Sequence, residues 1–105
     1  MRYLITWKVL RVPPEMAKIA LPLLEASQEY TKKLVKEGKI TELWAYADGS
    51  GGGCVGVDDS HEDIYKAVMA DPYSPFLEYS IIPLIDFNLA LDIAKEKFRM
   101  LASGK

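Results

Sequence analysis

The chain has 105 residues, half of them hydrophobic, which suits one domain (1–105) with a single core, near the small end of what burial alone stabilises comfortably. Thirteen basic and fifteen acidic residues are interspersed, leaving no basic stripe for nucleic acid and no polybasic arm for a lipid surface. A single cysteine excludes an internal disulfide, and no apolar run makes a membrane span or a signal-peptide core, so the expected setting is cytoplasmic.

Tyr3, Ile5, Trp7 and Val9 alternate with Leu4, Thr6 and Lys8, the period of two that predicts a first strand with one strongly apolar face, ended by Pro13 and Pro14. From Met16 the apolar residues take helical spacing up to Gly38, a natural stop, and the phase survives the interior Pro22, so one kinked helix is expected. "KITELWAYA" predicts a second strand with Ile40, Glu42, Trp44 and Tyr46 on one face and Thr41, Leu43, Ala45 and Ala47 on the other. "GCVGVD" predicts a third.

Ser60 followed by Asp63 resembles a capping box, opening a short helix that stops before Pro72. "FLEYSIIPL" reads as a fourth strand, and Pro83 places it on a sheet edge, where no ladder hydrogen bond is lost. The last segment, "DFNLALDIAKEKFRMLA", is a helix whose apolar stripe, from Phe87 through Leu91 and Ala94 to Leu101, is broader than one small sheet needs. The order is βαββαβ plus a terminal helix, an α+β ferredoxin-like plan with the second and fourth strands at the edges.

Between the second and third strands lies "ADGSGGGCVG". A phosphate loop needs its glycines followed by Lys and Ser or Thr at the start of a helix, whereas here Cys54, Val55 and a strand follow. A dinucleotide fingerprint fails for the same reason. The run is therefore read as a hairpin tip, with Asp48 and Gly49 starting the turn and Gly51 to Gly53 tolerating positive φ. No cofactor is implied.

A four-stranded sheet with helices on one face leaves the other face to be covered, commonly by a second copy. If Leu43 with Ala45, and Val55 with Val57, face the helices, then Glu42, Trp44, Tyr46, Cys54 and Gly56 face the open side. Thr6 and Lys8 join them from the first strand, and Glu78, Ser80 and Ile82 from the fourth. Such an aromatic and polar face suits a ligand lumen between subunits, with Lys8, Trp44, Tyr46 and Gly56 as binding residues and Lys8 as an anion partner. Aromatic dimer contacts are the competing use of Trp44 and Tyr46. Were Glu42 and Glu78 to converge there, one carboxylate could be held protonated and shuttle a proton; edge-strand charges that discourage aggregation are the alternative. His61 is the only histidine, so no multi-histidine metal site is expected, and Cys54 reads as a buried structural thiol. Tyr73 and Ser74 fall on a proline-rich turn where a pocket mouth could form.

The run from Glu37 to Asp59, followed by a short helix and "PYSPFLEYSIIPL", resembles the muconolactone isomerase-like members of the dimeric α+β barrel superfamily, over roughly half the chain. The resemblance rests on Gly38, Leu43 with Trp44, the glycine hairpin, Val57 to Ser60, and Pro75. It implies two ferredoxin-like sheets facing each other across a shared lumen, in a homodimer or larger ring where the C-terminal helix packs on a neighbour. The implied chemistry is proton transfer on a small acidic lactone without metal or cofactor. Such isomerases look more polar after the Leu-Trp pair, where this chain has Ala45 and glycines, so Trp44 carries over as pocket-lining and the isomerase site does not. The leading expectation is a homo-oligomer that binds a small aromatic or acidic molecule between sheet faces. The alternatives are a cofactor-independent isomerase with Glu42 or Glu78 as base, and an assembly domain with its lumen packed shut.

Overall fold

A computed structural model describes residues 1–104. Strand β1 (Arg2–Val9) leads through a short 3-10 turn into helix α1 (Ala17–Lys36), followed by β2 (Ile40–Ala45), β3 (Gly51–Val57), α2 (His61–Met69), β4 (Leu77–Leu84) and α3 (Phe87–Ala102). The four strands form one antiparallel sheet in the order β2-β3-β1-β4, the ferredoxin-like arrangement, with Pro83 on edge strand β4 as expected.

Local chemistry sets the helix ends. Gly38, at φ +77°, closes α1: its N–H donates to the Val35 carbonyl and the Lys39 N–H to the Leu34 carbonyl, a Schellman arrangement that satisfies two terminal carbonyls. The Ser60 hydroxyl accepts from the Asp63 N–H at 3.2 Å and starts α2; the Asp86 carboxylate does the same for α3 through the Leu89 N–H. Helix α1 runs through Pro22, which is exposed.

The core lies between the sheet and the first two helices. Tyr3, Ile5, Ile40, Cys54, Ile64 and Val68 are its buried members, with Trp7, Leu34, Tyr79 and Ile81 packed against them. The register corrects the expected faces of two strands. A bulge between Ile40 and Glu42 turns Ile40 into the core while Glu42 and Trp44 stay on the open face. In β3, Cys54 pairs with Ile5 and Gly56 with Tyr3, so both face the helices and Val55 and Val57 face the open side, the reverse of the expectation. Bulky neighbours supply the core volume here, and β3 needs small residues beneath them. A Cβ on Gly56 would lie 2.8 Å from Ile5 Cδ1 and 3.2 Å from Ile64 Cδ1.

The glycine run is corrected in the same way. The turn is made by Asp48, Gly49 and Ser50: the Asp48 carboxylate accepts from the Ser50 N–H at 3.0 Å, and Gly49 alone in this region has positive φ, +76°. Gly51 to Gly53 are strand residues, sandwiched between two tryptophans. The Trp7 indole lies over Gly52 on the helix face and the Trp44 indole over Gly53 on the open face.

Helix α3 stands apart. None of its residues is buried, and Phe87 and Phe98 are about 70% exposed. The radius of gyration, 18.3 Å, exceeds the roughly 13 Å of a compact chain of this length. Among the described residues no helix is long and apolar enough to cross a membrane.

Candidate functional site

The space between α1, α2 and the sheet is not filled. It forms a chamber of about 940 Å³, floored by Ile5, Trp7, Leu43, Cys54 and Tyr79 and roofed by Leu24, Tyr30 and Leu34 of α1 and Val68 of α2. The alternation that aims Ile5 and Trp7 at the helices also aims Tyr79, the register partner of Trp7, into this space.

Its polar groups converge after α2. Asp71 leaves the helix ahead of Pro72, and its carboxylate is held by two donors, the Tyr73 N–H at 2.9 Å and the Tyr79 hydroxyl at 3.3 Å. From α1, the Tyr30 hydroxyl donates to the Ala67 carbonyl at 2.7 Å and ties the two helices together. Burial raises the pKa of both the Tyr79 and Tyr30 hydroxyls and the negative charge of Asp71 adds to it, so both remain protonated donors. Burial pushes the Cys54 thiol up to about 11, which keeps it neutral and inert.

A second, shallower depression of about 400 Å³ lies on the open face, lined by Thr6, Lys8, Tyr46, Ser50, Glu78 and Ser80. Three of the candidate binding and catalytic residues, Lys8, Tyr46 and Glu78, therefore meet beside Thr6 and Ser80, with Lys8 directly opposite Glu78 across β1 and β4. The others do not join them. Trp44 lies over Gly53 and reaches the chamber rim, Gly56 lines the chamber from the helix face, and Glu42 is exposed on β2. Glu42 and Glu78 occupy opposite edge strands, about 14 Å apart across three strand spacings, so within one chain they form no acid–base pair.

His61 serves the core: its Nδ1 shares a 2.8 Å hydrogen bond with the hydroxyl of the fully buried Tyr3. Asp58, Asp59 and Asp63 gather at the start of α2, where carboxylates complement the helix dipole. Sequence reasoning stopped at Tyr73 and Ser74 on the turn and missed Asp71, two residues earlier. The available signal was Asp before Pro in "DPY", an arrangement that folds the carboxylate back onto its own backbone.

Residues 1–98 match the family described as a domain of unknown function, DUF3303. The chain belongs to that family. No curated protein matches this DUF3303 chain by sequence. Among solved structures it is similar to a muconolactone isomerase, with a TM-score of 0.75 and 21% identity over 82% of this chain and 90% of the other. It is also similar to 5-chloro-2-hydroxyhydroquinone dehydrochlorinase of Burkholderia phenoliruptrix AC1100, solved with 2,5-dihydroxybenzoquinone, with a TM-score of 0.59 and 18% identity over 84% of this chain and 97% of the other. At these identities the likeness establishes the fold, that of the dimeric α+β barrels, and agrees with the family resemblance read from the sequence.

Proposed function

We propose that this DUF3303 protein holds a small, largely aromatic molecule in the chamber between its helices and sheet, and that copies of it associate through the open sheet face and α3. The chamber carries the first part. Its volume of about 940 Å³ lies within the range of roughly 300–1,000 Å³ usual for ligand sites, and its apolar walls converge on a few polar groups, as such sites do. An assembly domain packed shut fits a space of this size poorly. The ligand thus moves from the expected lumen between sheets to the opposite face, while Lys8, Trp44, Tyr46, Glu42 and Glu78 become contacts of the association face.

Self-association is supported by α3, none of whose apolar side chains is buried by the described residues. Native mass spectrometry of freshly purified protein tests both parts: an oligomer with one small molecule per chain, retained or added, is expected. A monomer would reject the association, and failure to take up any aromatic compound would reject the chamber.

A second reading is favoured by the Asp71–Tyr79 pair, a base and a donor at 3.3 Å inside an apolar space. Asp71 would take a proton from a carbon beside a carbonyl, Tyr79 would turn its one O–H from Asp71 to the oxygen as charge develops there, and Asp71 would return the proton to the same carbon or to the far end of a conjugated double bond. The two structural neighbours, an isomerase and a dehydrochlorinase, make such chemistry reasonable for this fold. Incubation with phenylacetone in deuterium oxide tests it: incorporation that is lost in Asp71→Asn supports the reading, and none beyond buffer refutes it.

A further inference from the structure

We infer that the ligand of the chamber is an organic cation, an aromatic or alkyl amine in its charged form, held by Asp71 within an aromatic wall. The inference rests on the chamber being the ligand site and adds the charge of its occupant.

Three observations support it. First, Asp71 is only partly exposed, and none of the ion pairs among the described residues includes it. Its two hydrogen bonds, from the Tyr73 N–H and the Tyr79 hydroxyl, are with neutral donors. A carboxylate partly withdrawn from water is well compensated by a positive charge, and among the described residues none lies within ion-pair distance of it. Second, the groups around it are aromatic: Tyr79 bonds it directly, Trp7 is beside Tyr79 in register, and Tyr30 and Tyr73 line the same chamber. Ring faces attract cations, and a ring wall with a carboxylate beside it is the chemistry that recognises ammonium groups; Glu25 and Asp58 also line the chamber. Third, among the described residues no buried cation lines the chamber to receive an acid. Lys32 and Lys39 line the chamber but are exposed, and Lys32 is already paired with Glu29 at 3.3 Å. A carboxylate ligand seated beside Tyr79 would meet the like charge of Asp71, so the acidic ligand expected from sequence fits this chamber poorly.

The test compares three probes of similar shape on the wild-type protein: benzyltrimethylammonium, its neutral isostere neopentylbenzene, and phenylacetate, followed by tryptophan fluorescence and calorimetry. The cation should bind at least about tenfold more tightly than the neutral isostere, with phenylacetate weakest. In Asp71→Asn the preference for the cation should collapse to within about twofold while neopentylbenzene binds as before. Equal binding of the cation and the isostere to wild type would overturn the inference and leave the chamber standing as a site for neutral aromatics. Binding of none of the three would overturn both. The wild-type series decides the matter even if Asp71→Asn folds poorly.

Discussion

Replacing the three strand glycines by alanine, one at a time, tests the placement of two tryptophans on opposite faces of β3. An ordinary contact begins near 3.4 Å. A Cβ on Gly51 would lie 2.0 Å from the Trp7 carbonyl oxygen, short by about 1.4 Å, and one on Gly52 would lie 2.4 Å from the Trp44 carbonyl oxygen and 2.7 Å from Trp7 Cζ2. Both clashes are with the backbone of paired strands, which cannot move without breaking the ladder. The three atoms nearest a Cβ on Gly53 all belong to the Trp44 ring, Cζ2 at 2.6 Å, and that ring is on an edge strand and can swing outward. Overpacking costs about 1–3 kcal/mol, whereas the stiffer unfolded chain of an alanine variant returns about 0.4–1 kcal/mol. Gly51→Ala and Gly52→Ala should therefore lose about 2–3 kcal/mol or fail to fold, and Gly53→Ala should lose less than about 1 kcal/mol. Urea unfolding followed by circular dichroism measures the order, and Trp44 emission should shift to the red in Gly53→Ala alone. Were these glycines a hairpin tip with positive φ, the three losses would be alike, at about 1 kcal/mol each, with no such shift. That result would refute the sandwich.

Burial holds the Tyr30 and Tyr79 hydroxyls above the ordinary value of 10.0, so the folded protein keeps protons that the unfolded chain has already lost. Stability is then at its full value below pH 10 and falls as pH rises above it; Tyr79→Phe should flatten that fall in urea titrations between about pH 9 and 12, and an unchanged slope would discount the tyrosine as its source. Tyr30→Phe removes the 2.7 Å bond to the Ala67 carbonyl and should cost about 1 kcal/mol, with α2 amides exchanging faster; equal exchange would show that the bond does not tie the helices. Ser60→Ala removes the α2 cap and should cost about 1 kcal/mol in the same unfolding assay, whereas Ser60→Asn should cost little. Truncation after Asp86 should lower the mass of the assembly measured by light scattering, and an unchanged number of subunits would place the association elsewhere.

The strand and helix order was legible because periodicity and end signals agreed at each element. Ser60, Gly38 and Pro83 each did locally what their chemistry predicts. The faces of β2 and β3 were not legible. A bulge shifts the phase of β2 by one residue at Thr41 without a composition cue, and pattern reasoning assigns aliphatic residues to the core. In β3 that rule inverts, because Trp7, Ile5 and Ile64 reach over the strand and leave room only for Gly52, Cys54 and Gly56. The inversion also hides the site from the sequence. With Cys54 and Gly56 assigned to the open side, the open face looked like the lumen, and Asp71 with Tyr79 escaped notice because they are eight residues apart and meet only through the fold.

The occupancy of the chamber is tested most directly with Trp44→Phe protein, in which Trp7 on the chamber floor is the sole tryptophan. Titration with p-nitrotoluene, a neutral aromatic quencher, should give saturable quenching at one site per chain. It should be lost when Ala67→Phe fills the chamber in the same background. Linear quenching without saturation, identical in both proteins, would contradict the account.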